Sequence, residues 1–321
     1  MQTPPDSTRL TVVVINRNTA GLLQQCLRHI QAADAGCPIE TIVVDNGSTD
    51  ASVAETRRDF PAVRLIVNDH NEGFAAAANR GIDSCDAPLI VLLNSDGFVQ
   101  DGCLREMVAV MQRDPRIGIL GALLVNADGS SQNSAANTPS LITETCKKTL
   151  LKRLMPGRYY SRHFLPDGPA EVESIVGACM MLRREMLGEI GGFDPGYFFF
   201  FEESDLCLRA RAAGWRVVLA PQARCVHLQG QTAARTPVAV RIEYWRSRYR
   251  FFRKHYGWGT RLLLLAGLLI NLLIDVVYFA LLSPFKAKAR GRLTVCLAIL
   301  AWHLAGCTDR IGLRPARGSG A

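Results

Sequence analysis

The first hundred residues alternate short apolar runs with polar turns. Thr11–Ile15, Thr41–Val44, Arg64–Val67 and Leu89–Leu93 are rich in Val, Ile and Leu, and each breaks off at polar residues. Unbroken apolar runs of this length predict strands buried on both faces. Between them the period changes. Leu23, Leu27 and Ile30 share one face of a helix over Leu22–Ile30, and Phe74–Ile82 is Ala-rich and helical. Strand and helix in alternation predict an α/β fold with a doubly wound, mostly parallel sheet. Its strand ends gather Asn16, Asp45, Asn71 and Asp96 on one rim, where open α/β sheets bind ligands.

Further along, Leu104–Met111 reads as a helix and Ile117–Val125 as a strand, after which residues 126–168 lose all periodicity. A long irregular segment inside a domain is more often a substrate lid than a linker. Regular structure resumes with a strand over Ser174–Leu182, whose Gly177 would let a ligand approach the backbone. After a Gly-Gly-Phe-Asp-Pro turn and the aromatic, exposed-looking run Tyr197–Phe201, a helix opens with Glu202, Glu203 and Asp205 and stops at Gly214. The helix dipole favours one or two first-turn acids. Three close carboxylates repel, and one of them can take a raised pKa that suits a general base. Trp215–Ala220 is a strand, and His227 follows a Pro-containing turn as a residue to test as a metal ligand.

The run Leu89–Leu93 ends in Asn94-Ser95-Asp96-Gly97. An Asp beside an Asn at a sheet rim can hold a hard cation through oxygen, and the cation can hold a phosphate. Taken alone, the tetrapeptide is equally an Asx turn. The loop after the second strand, Asp45 to Asp50, leads into a helix with Ser48 or Thr49 placed as N-cap. Residues 15–20 after the first strand contain no glycine, which excludes the usual dinucleotide fingerprint.

The net charge of +8 is unevenly spread: residues 1–240 carry 23 basic and 26 acidic side chains, residues 241–321 carry 14 and 3. The basic character therefore belongs to a C-terminal segment with an anionic partner. Arg241–Tyr256 interleaves Arg and Lys with Tyr, Trp and Phe, which suits a membrane interface or single-stranded RNA. The apolar run Leu262–Leu282 decides for the membrane and against nucleic acid. Asn271 and Asp275, four apart, argue against a simple lipid-exposed span, and Leu293–Cys307 is too short to cross comfortably. A single crossing would also turn the connector with Lys286, Lys288, Arg290 and Arg292 outward, against the positive-inside tendency, with Arg310, Arg314 and Arg317 following the second run. Two helices lying in or dipping into the cytoplasmic leaflet of the inner membrane fit better, with the polar stripe used for helix pairing or homodimer contact. The alternative is a buried helical hairpin on a soluble dimer. Ten scattered cysteines without a C-x-x-C pair, and no signal-peptide pattern in Met1–Arg9, agree with a reduced, cytoplasmic setting.

Seven segments taken together carry a resemblance. Ile15–Asn18, Val43–Asp50, Asn71–Ala75 with Asn79, Leu92–Asp96, Gly191–Asp194, Phe201–Leu206 and Ala212–Trp215 look like the successive motifs of family 2 glycosyltransferases of the GT-A fold, above all bacterial rhamnosyltransferase-like members. The resemblance covers about Leu10–Tyr256. It implies a GT-A catalytic domain, placed over residues 1–240, and the charge and apolar runs make residues 241–321 a basic, helical extension for membrane association or dimerisation. It also implies that Asn16, Asp45, Asn71 and Asn94 bind the nucleotide, with Asp45 on the base. Asp96, last residue of the D-x-D-type motif, would hold Mg²⁺ or Mn²⁺ against the diphosphate, with His227 completing the metal shell. Glu203 stands where the family usually places its catalytic base, Glu202 is the alternative, and Asp205 and Gly177 fall on the acceptor side.

The sequence departs from the family pattern in three places. Asn94 replaces the first Asp, Glu203 replaces Asp, and Gly97 stands where many relatives carry Thr or Asp. The Q-x-x-R-W motif of processive synthases is absent, which favours transfer of a single sugar. The expected activity is inverting, metal-dependent transfer of one sugar, with rhamnose as candidate, from a nucleotide donor to a lipid-linked or polysaccharide acceptor in envelope glycan synthesis. A catalytically silent, nucleotide-sugar-binding scaffold of a membrane assembly is the second reading, kept open by the exchange at Glu203.

Overall fold

Along each of the early strands, neighbouring side chains go to opposite faces of one sheet. Val12, Val14, Val43, Val91 and Leu93 pack into one apolar core, and Val13, Ile42, Val44, Ile90 and Leu92 into a second. Both faces are covered, which is why these runs are apolar throughout. Each fully buried Val, Leu or Ile contributes about 1.5–3 kcal/mol. The computed structural model describes residues 9–155, 158–161, 163–228, 237–308 and 311–314. Met1–Thr8, Arg310 and Arg317 lie outside the described residues.

The chain forms two compact units, one of residues 1–138, 156–195 and 202–229, the other of 139–155, 196–201 and 230–321. In the first, β1 (Leu10–Asn16), β2 (Ile39–Asp45), β3 (Arg64–Val67) and β4 (Leu89–Asn94) are parallel, with α1 (Ala20–Ala32), α2 (Ser52–Asp59) and α3 (Phe74–Asp83) between them. A short β5 (Gly97–Val99) and α4 (Cys103–Arg113) lead to β6 (Ile117–Val125). Here the order departs from a purely parallel sheet. β7 (Ala135–Ala136) pairs with β9 (Ser174–Ile175), and β10 (Cys179–Arg183) inserts antiparallel between β4 and β6. α7 (Arg184–Ile190) and α8 (Glu202–Ala212) precede β11 (Arg216–His227), which runs parallel to β6, antiparallel to β5, and pairs with β8 (Ala170–Glu171). The order across the sheet is β3-β2-β1-β4-β10-β6-β11-β5.

Several local expectations change. The strand expected over Ser174–Leu182 breaks at Val176–Ala178 into β9 and β10. β11 runs through Pro221 without a turn, because a register shift between Ala220 and Arg224 forms a bulge that tolerates the missing N–H. Neither Ser48 nor Thr49 caps α2. The helix starts at Ser52, where the Asp50 carboxylate accepts from Ser52 N at 3.0 Å. The segment 126–168 is irregular in pattern yet pinned at its start: Gln132 N donates to Leu124 O at 2.9 Å, and Ser131 bridges Val125.

The second unit contains α5 (Leu141–Thr145), α6 (Lys148–Leu154), α9 (Pro237–His255), α10 (Trp258–Leu282) and α11 (Ala287–Leu304). Tyr197, Phe198 and Phe201 are buried, contrary to the exposed aromatic run expected, because Phe200 and Phe201 pack on Tyr244 and Phe201 on Phe251 of α9. Among the described residues α10 is the one helix long and apolar enough to cross a membrane. At roughly 100° per residue, Leu264, Leu268 and Leu272 share one face, and they are buried. Leu262, Leu263, Ile270, Leu273, Ile274, Val277 and Leu281 occupy the opposite arc and are all exposed. Asn271 Nδ2 donates to Thr145 O at 2.7 Å, so this polar position pairs α10 with α5 inside the chain.

Candidate active site

The parallel strands end side by side because β1 hydrogen-bonds both β2 and β4, which brings Asn16 opposite Asp45 and Ile15 opposite Asn94. Asn16 Nδ2 donates to Asp45 Oδ2 at 2.8 Å, and Ser48 N donates to Asp45 Oδ1 at 2.8 Å. Asp45 is fully buried, so its carboxylate braces the 45–50 loop. Thr19 Oγ1 links Asn16 Oδ1 to Ser95 Oγ, both at 2.7 Å, carrying the network from β1 to the end of β4. Asn71 sits in a separate knot. Its Oδ1 accepts from Asn46 Nδ2 at 2.9 Å, and Asn46 Oδ1 in turn accepts from Asn68 Nδ2 and Glu72 N. The buried Asn46 hub was not singled out in the sequence; its signal was only a turn-forming Asn after a strand.

Asn94 N donates to Ala178 O at 3.0 Å, which anchors the strand end to the break before β10. The chain then turns through Ser95 and Asp96 into β5. A Cβ on Gly97 would come within 2.9 Å of Leu93 Cδ1 and 3.1 Å of Asn94 O, so the turn is tight enough to favour glycine there. β5 pairs with β11 with Gly97 opposite His227, and this register puts His227 beside Asp96. His227 Nε2 lies 3.5 Å from Asp96 Oδ1, and Leu228 N donates to Asp96 O at 3.1 Å.

That spacing is longer than the roughly 2.7–3.2 Å of a hydrogen bond and suits two neighbouring ligands of one cation. Asp96 would offer a divalent cation a carboxylate oxygen and His227 an imidazole nitrogen. No cluster of three or more His, Cys, Asp or Glu side chains occurs among the described residues. Asp96 and His227 are the residues that would hold the cation.

The acidic helix start lies on the same side. Gly177 leaves room for Glu203, whose Cβ would be 3.6 Å from a Cβ built on that glycine. Gly177 directly precedes Ala178, the residue bonded to Asn94. Glu203 is half-buried, but its Oε2 is sealed from water and has no hydrogen-bond partner among the described residues. Burial pushes its pKa up to about 7. Glu202 is more deeply buried, and Asp205 is fully buried and accepts from Arg209 Nε at 2.8 Å. Arg209 also donates to Ile190 O and Gly192 O, so Asp205 anchors α8 to the turn before it. Glu203 thus combines a raised pKa with an oxygen that has no hydrogen-bond partner among the described residues.

A mostly parallel sheet with β10 inserted antiparallel between β4 and β6 and helices packed against it is an architecture of GT-A type. The chain belongs to glycosyl transferase family 2, whose family model matches residues 11–191. It is similar to the N-acetylglucosaminyl-diphospho-decaprenol L-rhamnosyltransferase of Mycobacterium tuberculosis, 30% identical over 264 residues, covering 78% of this chain and 86% of that protein. It is also similar to the O-antigen biosynthesis protein RfbC of Myxococcus xanthus, 26% identical over 78% of this chain and 19% of that one.

Two solved structures share the fold. The mannosyltransferase PcManGT of Pyrobaculum calidifontis, in complex with GDP-Man and Mn²⁺, aligns with a TM-score of 0.57 at 16% identity over 96% of this chain and 89% of that one. GalNAc-T7 with UDP, GalNAc and Mn²⁺ aligns with a TM-score of 0.54 at 17% identity, over 76% and 48% respectively. The chain is thus a glycosyltransferase, as its motif series implied.

Proposed function

We propose that this enzyme transfers a single sugar, with inversion, from a nucleoside-diphosphate donor to a lipid-linked acceptor at the cytoplasmic face of the membrane. Rhamnose is the donor sugar this reading favours, by likeness to the mycobacterial rhamnosyltransferase. Asn16 and Asp45 shape the base end of the donor site, and Asn94 lies at the ribose. Asp96 and His227 hold the diphosphate end. When bound there, a divalent cation supplies Lewis-acid neutralisation of the departing nucleoside diphosphate. Glu203 takes the proton of the acceptor hydroxyl as its oxygen attacks the anomeric carbon. The bond to the diphosphate oxygen breaks on the far side, so one displacement inverts the centre.

The observation that carries this reading is the Glu203 carboxylate: its Oε2 is sealed from water without a hydrogen-bond partner among the described residues, burial pushes its pKa up to about 7, and the side chain packs over Gly177 beside the strand end that leads to Asp96. A carboxylate bound up in structural hydrogen bonds would instead have its pKa lowered. The membrane placement rests on α10, whose packed face is turned to α5, α9 and α11 while the opposite face is apolar along its length. A helix attached on one side to Arg-rich α9 favours lying in the plane of an anionic leaflet over crossing it. The test is a panel of dTDP-, UDP- and GDP-sugars offered with polyprenyl-diphospho-N-acetylglucosamine, with and without Mn²⁺. Transfer from dTDP-rhamnose, abolished by chelator and giving the opposite anomer by NMR, is the expected result. Transfer from other donors only, or retention of configuration, would overturn the corresponding part.

A further inference from the structure

We propose that Gln132 is a positioning residue that fixes the tautomer of His227 and so keeps Nε2 as a bare acceptor beside Asp96 Oδ1. The inference rests on reading Asp96 and His227 as the cation-holding pair. Gln132 is buried where the 126–168 segment begins, tied to β6 through its backbone. Its Nε2 donates to His227 O at 2.6 Å and to Asn126 Oδ1 at 2.7 Å, with Val125 O at 3.4 Å. Three carbonyl oxygens around one end of an amide require that end to be the NH₂ group.

The Asn126 amide is oriented independently. Ser130 Oγ donates to Asp128 Oδ1 at 2.6 Å and therefore accepts from Asn126 Nδ2 at 2.8 Å, leaving Asn126 Oδ1 toward Gln132. With the Gln132 amide so fixed, its Oε1 faces His227 Nδ1 at 3.3 Å. An oxygen there is favourable only when Nδ1 carries the proton. In the neutral ring the lone pair then sits on Nε2, 3.5 Å from a carboxylate oxygen. Two acceptors facing each other repel until a cation comes between them. Outer-shell partners of this kind orient a ligating histidine, and their loss typically lowers metal affinity by about 10–100-fold.

The experiment is long-range ¹H–¹⁵N NMR of the His227 ring in the metal-free full-length protein, together with Mn²⁺ affinity by EPR in the presence of UDP. The wild type is expected to show the Nδ1–H tautomer. Gln132→Leu is expected to show a tautomer mixture and roughly 10–100-fold weaker Mn²⁺ binding. An Nε2–H tautomer in the wild type, which needs no variant, would overturn the proposal. So would a folded Gln132→Leu protein with unchanged tautomer and Mn²⁺ affinity. His227→Ala separates the two levels: unchanged Mn²⁺ affinity in that variant would remove the cation reading itself, whatever Gln132 does to the ring.

Discussion

Glu203 lies over the backbone of Gly177, with its Cβ 3.6 Å and its Cγ 3.9 Å from where a Cβ on that glycine would be. The gap accepts a methyl group in ordinary contact, and a branched side chain would press on Glu203 Cβ and Cγ, which carry the carboxylate. Gly177→Ala should therefore retain most activity. Gly177→Val should lower turnover about 100-fold, since a misplacement near 1 Å at a reacting group costs that much. Donor binding, measured by calorimetry with the nucleoside diphosphate, should be unchanged in both. Equal loss of binding and turnover would mean that Gly177 supports the donor site and not the base.

The raised pKa of Glu203 gives a pH signature. A base must be deprotonated, so kcat/KM should rise with pH through an inflection near 7. Stability runs the other way. The folded-state pKa exceeds the ordinary value of 4.5, so the folded state binds the proton more tightly than the unfolded chain does. Stability is then unaffected below about 4.5, falls as pH rises from there to about 7, and stays lowered above. Glu203→Gln should melt higher than wild type at pH 8, by up to roughly 3 kcal/mol, and lose that advantage at pH 4. Parallel melting curves at both pH values would contradict the assignment.

On the proposed membrane placement, the exposed apolar arc of α10 is the surface that meets lipid. Leu273→Asp with Ile274→Asp, both on that arc, should abolish sedimentation with phosphatidylglycerol vesicles and leave the fold intact by circular dichroism. Replacing the exposed Lys286, Lys288, Arg290 and Arg292 by Gln should weaken the same binding by about 1 kcal/mol per residue and remove much of its salt dependence. Protease protection of the α10–α11 connector in sealed vesicles would favour a crossing and refute the in-plane arrangement.

The first four strands and the two helical faces were legible because continuous apolar runs and a 3.6-residue period admit few other structures. Asp96 was legible as a strand-end acid, and Glu203 as one of three crowded carboxylates. What distinguishes Glu203 from Asp205 was not, since it depends on Arg209 reaching one and burial isolating the other. β11 was misread at Pro221 because a bulge can be recognised only from its partner strand. The aromatic run Tyr197–Phe201 looked exposed because its partners, Tyr244 and Phe251, lie more than forty residues further on. Gln132 gave no local signal at all: its role depends on β6 and β11 being neighbours, 95 residues apart in the Gln132–His227 contact.

The central claim is that Glu203 performs the proton transfer. Glu203→Gln keeps the size of the side chain and removes its basicity, so the direct measurement is sugar transfer beside nucleotide-sugar affinity in that one variant. The account predicts loss of turnover by at least about 100-fold, within the range for removing a general base, with the donor dissociation constant nearly unchanged. Undiminished turnover would contradict it and move the base to Glu202 or Asp205.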